Sequence, residues 1–164
     1  GVAYAAKGEA ALAKSELDAL VPLQDDVSVR FLDSRDYPGS LLVGIAIELL
    51  RGEMAYRAGD FGEAITHFTA AVEKQDTLPY TEPPFWYYPT RQSLGAALMA
   101  SGDAQGAEAV FRLDLEQYPH NGWSMFGLTQ ALRAQYKDAQ ADQVQMHFEK
   151  AWQFADVELT AAVL

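Results

Sequence analysis

The sequence predicts an all-α chain made of consecutive helical hairpins, and three observations carry that expectation. Small and apolar residues recur 34 positions apart, as Leu94 with Leu128, Leu98 with Leu132 and Ala107 with Ala141. Inside each repeat the apolar residues fall at three-to-four spacing, the period of a helix with one buried stripe. Between the two stripes of a repeat stands a Gly-Asp pair, Gly59-Asp60 or Gly102-Asp103, where glycine can take the positive φ that closes a helix end. A period of this length marks a repeat architecture.

The elements follow in chain order. Gly1, Tyr4, Gly8-Glu9, Ala13 and Leu17 keep the relative spacing of Gly52, Ala55, Gly59-Asp60, Ala64 and Phe68, so residues 1–21 read as a truncated repeat and the chain as a piece of a longer array. Residues 22–38 carry Gln24-Asp25-Asp26 and the polar run from Asp33 to Asp36, which predicts a connecting loop with a short helix at 27–32. Helix resumes near Gly39. The first complete repeat, 45–76, pairs a helix over 45–58 with one over 61–73. Small Gly52 and Ala64 let the two backbones approach, and Phe68 fills the space beyond them. This copy precedes the next by 43 positions, one repeat length plus an insertion, and residues 77–90 hold that insertion. The second repeat spans 91–119 and is stopped by Pro119. The third spans 122–155, opened by Asn121 as a helix cap. It has Tyr136 where the turn glycine belongs, and is the divergent copy.

Composition narrows the function. Twelve Lys and Arg against 23 Asp and Glu leave a net charge of −11, which argues against a grip on a phosphate backbone and against nucleic acid as a partner. The absence of cysteine removes disulfides, thiol nucleophiles and thiolate metal sites. The longest apolar stretch, 41–50, is interrupted by Gly44 and Glu48 and falls far short of the roughly 20 residues that span a bilayer, so no membrane insertion is expected.

At Gly52, Ala55, Gly59-Asp60-Phe61, Ala64, Phe68 and Ala71 the pattern resembles the tetratricopeptide repeat. The second copy keeps Leu94, Gly95, Leu98, Gly102, Asp103, Ala107, Phe111 and Pro119, with Asp114 where a small residue is usual. The resemblance implies an α-α superhelix of stacked helical hairpins. The stretch Glu82-Pro83-Pro84-Phe85-Trp86-Tyr87-Tyr88-Pro89-Thr90-Arg91 is similar to one found between repeats in the carboxy-terminal region of large bacterial tetratricopeptide proteins of unclear function. That likeness implies a bacterial cytoplasmic or periplasmic setting and brings no activity with it.

Candidate partner-binding residues come from two places. The insertion holds four prolines and five aromatics. Prolines stiffen the backbone, so Trp86, Tyr87 and Tyr88 can form a rigid aromatic wall with polar edges, or else plug the gap that the insertion opens between hairpins. The resemblance implies a concave groove lined by first helices. By register its outward residues include Tyr56 and Arg57 in the first repeat, Gln92, Ala96 and Met99 in the second, and Trp123, Phe126, Gln130 and Arg133 in the third. Arg57, Arg91 and Arg133 would orient an acidic or terminal carboxylate group, or else balance acidic neighbours. His67, His120 and His147 are far apart and show no ligand spacing, so no metal is expected. No Gly-x-Ser-x-Gly elbow or phosphate loop occurs, and neither a catalytic residue nor a cofactor is expected.

The reading is a non-enzymatic scaffold that holds a peptide or protein. Two alternatives stand beside it. One is a structural capping module that self-associates into a homo-oligomer through exposed repeat ends near residues 2–20. The other is a sensor that takes a small molecule or metal in the aromatic pocket.

Overall fold

The computed structural model describes residues 1–163, and among them the chain is all-helical with no strand. Two compact units divide it, Gly1–Thr90 and Arg91–Leu164.

In the first unit, α1 (Val2–Ala6) and α2 (Ala10–Leu20) form a short hairpin, followed by a 3₁₀ turn (Val21–Asp25) and α3 (Val27–Asp33). The expected loop over 22–38 is thus more helical than its polarity suggested. Pro22 sits in the opening turn of the 3₁₀ segment, where its missing N–H costs nothing, and Asp26 caps α3 through the Ser28 N–H. The long α4 (Gly39–Arg57) begins where helix was expected to resume. It pairs with α5 (Phe61–Asp76) and also receives α1, α2 and α3. The core here is Ile45, Ile47, Leu49, Leu50, Ala64, Phe68 and Ala71. A Cβ on Gly52 would stand 2.4 Å from Phe68 Cε1, so hydrogen at this position is what admits the ring between the helices.

The second unit repeats the arrangement. Helices α6 (Arg91–Ser101) and α7 (Ala104–Gln117) form one hairpin, and α8 (Gly122–Ala134) and α9 (Asp138–Trp152) the next, with α8 packed on both α6 and α7. Phe111 is fully buried, and a Cβ on either Gly95 or Gly127 would fall within 2.4 Å of its Cζ. Helix α7 ends at Gln117 ahead of Pro119, and Asn121 accepts from the Trp123 N–H at 3.2 Å as a cap. The tail beyond α9 is non-helical and turns back on the unit, burying Leu159 and Ala162.

The turns carry the repeat most clearly. Gly8, Gly59 and Gly102 have φ of 76°, 79° and 89°, and the divergent copy holds Tyr136 at φ 59°. Backbone geometry is therefore kept where the glycine is not. Among the described residues, no helix is long and apolar enough to cross a membrane.

Candidate functional site: an aromatic cleft beside the insertion

A concavity lies in the first unit, where the α3–α4 connection faces the insertion. Asp33 fixes one wall. Its carboxylate accepts from the Ser40 backbone N–H at 3.0 Å and from the Ser40 hydroxyl, and these bonds hold it below the usual carboxylate range. The connection then passes through Asp36 at φ 60°, a region that aspartate visits more readily than most residues. The Tyr37 N–H bonds back to the Leu32 carbonyl at 3.1 Å, which places the ring at the rim.

The opposite wall comes from the insertion, whose far end is held by Gln75 of α5. Its side-chain oxygen accepts from the Thr90 N–H and hydroxyl at 2.8 and 2.7 Å, while its amide donates to the Tyr88 carbonyl at 3.2 Å. One side chain thereby clamps the far end of the insertion to the helix that precedes it. Phe85 is held so that its ring meets Tyr37 edge to face, with centroids 5.1 Å apart at 88°. Between the walls is an open cleft of about 510 Å³ lined by Asp33, Asp36, Tyr37, Pro38, Pro79, Thr81 and Phe85. The Thr81 hydroxyl oxygen is buried with no hydrogen-bond partner among the described residues. Apolar walls, an aromatic corner and two carboxylates make a site suited to a cation carried on an apolar stem.

The residues expected to bind a partner are placed as follows. Trp86, Tyr87 and Tyr88 form one cluster, with centroids 5.9, 6.1 and 5.0 Å apart. Tyr87 is 83% exposed, whereas Trp86 and Tyr88 are half-buried and the Trp86 indole nitrogen lies inside without a partner among the described residues. Of the three rings one therefore points outward and two are packed. Tyr56 leans on Phe61 at 5.6 Å, under the Arg57 guanidinium at 5.8 Å, and Arg57 donates to Glu53 at 2.7 Å.

In the second unit Arg91 is half-buried and lies near enough to Asp114 to favour its charged form. Gln92 departs from the outward position expected of it: it is only 7% exposed and donates to Asn121 at 3.0 Å. Ala96 is buried as well. Trp123 and Phe126 face α9, where Trp123 meets Trp152 edge to face at 5.6 Å and Phe126 tilts against Phe148 at 5.7 Å. Gln130 is half-buried, and Arg133 is exposed, 4.0 Å from Asp142. The arginines at 57 and 133 thus have acidic neighbours of their own.

Two polar clusters are built into the helices. His67 lies between Glu48 at 2.6 Å and Glu63 at 3.1 Å, joining α4 to α5. Asp114, fully buried, accepts from Ser124 at 2.5 Å and Asn121 at 2.7 Å, and its second oxygen has no partner among the described residues. Burial pushes its pKa up against those bonds and the Arg91 charge.

Sequence reasoning passed over Tyr37 and the carboxylates of the connection. The only trace of them was a polar loop ending in Tyr37-Pro38 opposite an aromatic run. Comparison of the chain with protein-family models, curated proteins and solved structures finds no match.

Proposed function

We propose that the chain is a non-enzymatic interaction scaffold of the tetratricopeptide type, its hairpins stacked as an α-α superhelix, which holds a segment of a partner protein. The observation that carries this reading is the cleft between Tyr37 and Phe85, whose clamped walls, apolar lining and acidic rim form a receptor for a lysine or arginine side chain. The charge balance agrees: a chain at −11 attracts a basic partner at long range. With Arg57 beside Glu53 and Arg133 beside Asp142, a basic segment is favoured over the acidic one that the arginines alone suggested.

The test is binding of a defined set of labelled ten-residue peptides, basic-apolar, acidic and neutral, in dilute salt. Basic-apolar peptides should bind in preference. Tyr37→Ala with Phe85→Ala should abolish that binding while the helical circular dichroism is retained. Indifference of the folded double variant, or equal binding of acidic peptides, removes the reading.

A second reading, self-association, is favoured by one observation: Leu12, Val21, Leu23, Val27 and Phe31 are all exposed in α2, the 3₁₀ turn and α3, and exposed apolar side chains can seat another copy. Sedimentation across the micromolar range separates the two, since a monomer throughout removes the second.

A further inference from the structure

The tail of the second unit packs against that unit. After α9 the chain turns, with the Ala155 N–H bonded to the Trp152 carbonyl at 2.9 Å, and residues 155–159 then run on without regular structure. The Trp152 indole N–H donates to the Val157 carbonyl at 2.7 Å. Only two side chains of the segment are buried, Leu159 at 8% and Ala162 at 6% exposure, while Asp156, Val157, Glu158 and Thr160 stay exposed. Ala162 joins the core cluster that contains Ala96, Leu128 and Leu132, and Val163 packs against that cluster alongside Met99. Ala96 and Met99 are residues that the repeat register assigns to the open face of the first helices. Through Ala162 and Val163 the tail therefore reaches a cluster that includes that face, while Thr160 stays exposed and Ala161 is half-buried. An extended peptide seated in side-chain pockets makes contacts of this kind.

We propose that this face of α6 and α8 is a docking surface for a short extended apolar segment seated, as the tail is, through an alanine and the aliphatic residue after it. Residues 155–163 are its resident intramolecular occupant, and a partner segment of the same chemistry has to displace them. Tethering gives the tail the advantage of a high effective concentration, so the unaltered chain is self-blocked at this face. No residue is shared with the cleft of the first unit, and the inference stands independently of the function proposed for it.

The experiment uses the whole chain and a fluorescent peptide of residues 155–163. The double variant Leu159→Asp with Ala162→Asp expels the tail in place. It should bind the peptide at least tenfold more tightly than the unaltered chain, and should not bind a control peptide carrying the same two substitutions. Equal binding by variant and unaltered chain, no binding by the folded variant, or binding of the control peptide overturns the proposal. Loss of helical circular dichroism in the variant also overturns it, because the tail would then be an integral part of the core.

Discussion

Lys137 Nζ lies 2.6 Å from Glu108 Oε2, joining the α8–α9 turn to α7. Gln135 donates to the same oxygen at 2.8 Å, and Arg112 holds the other carboxylate oxygen at 2.9 Å. Tyr136, at φ 59°, lies between the two residues so fastened. The turn that lost its glycine is the one tied down from both sides.

Glu108 is held at a pKa of about 2, chiefly by the Lys137 ammonium, with Arg112 and Gln135 adding to it. A carboxylate depressed by folding stabilises the fold above its ordinary pKa, and that contribution is lost as pH falls through the folded value. Glu108→Gln should cost about 1–2 kcal/mol at pH 7. The difference from the unaltered chain should shrink between pH 4.5 and 2. Urea unfolding at several pH values measures it, and a constant difference across that range would refute the assignment.

Tyr136→Gly should stabilise the chain. The left-handed backbone costs a residue with a side chain ~1 kcal/mol or more, partly offset by the entropy glycine loses on folding. The ring is 91% exposed and contributes little packing. A gain of about 0.5–1 kcal/mol in thermal or urea unfolding is expected, and a loss would mean the ring has a role not visible in its surroundings.

Gly52→Ala drives a methyl to within 2.4 Å of the Phe68 ring and should cost about 2–3 kcal/mol. Phe68→Leu on that background should recover part of the loss, because the smaller side chain vacates the space. Strict additivity in the double-mutant cycle would show that the two sites do not touch.

Asp114 has the opposite sign from Glu108. A raised carboxyl favours the folded state at low pH, and that advantage disappears as pH rises from its ordinary value of 3.8 through the elevated one. Asp114→Asn removes the buried charge and keeps the shape, so at pH 7 it should stabilise by about 1 kcal/mol. At pH 3 the two chains should melt together. Destabilisation at neutral pH would indicate that the charge is better compensated by Arg91 than its burial suggests.

Gln75→Ala releases three hydrogen bonds to Tyr88 and Thr90 at once and should cost about 1–3 kcal/mol. Limited proteolysis is the direct readout. New cleavage should appear within residues 77–90 while the helices survive, and an unchanged digest would argue that the aromatic cluster alone holds the insertion.

Helices and turns were legible in the sequence because they rest on local rules. Gly59 and Gly102 stop helices, Asn121 starts one, and Gly52 reveals a close approach through its relation to Phe68. What lay beyond reach depends on three-dimensional proximity. Trp123 and Phe126 sit on the predicted helix, but the repeat register assigned them to the groove when their rings turn to Phe148 and Trp152. Gln92 has the composition of a surface amide, and only its bond to Asn121 explains its burial. The cleft needed Tyr37 to meet Phe85 across 48 positions of chain, which no periodicity encodes. Asp114 was visible as an anomaly, and the structure supplies its reason in Ser124 and Asn121.

Within each unit the principal contacts join helices that are close neighbours along the chain. Assembly therefore needs few distant encounters, and chains of this topology organise quickly. A hairpin leaving the ribosome can settle before the next is synthesised. Doubling a surface connection adds only ~0.6 kcal/mol of closure entropy, so a spacer such as 77–90 can lengthen over evolutionary time while the flanking coils remain intact.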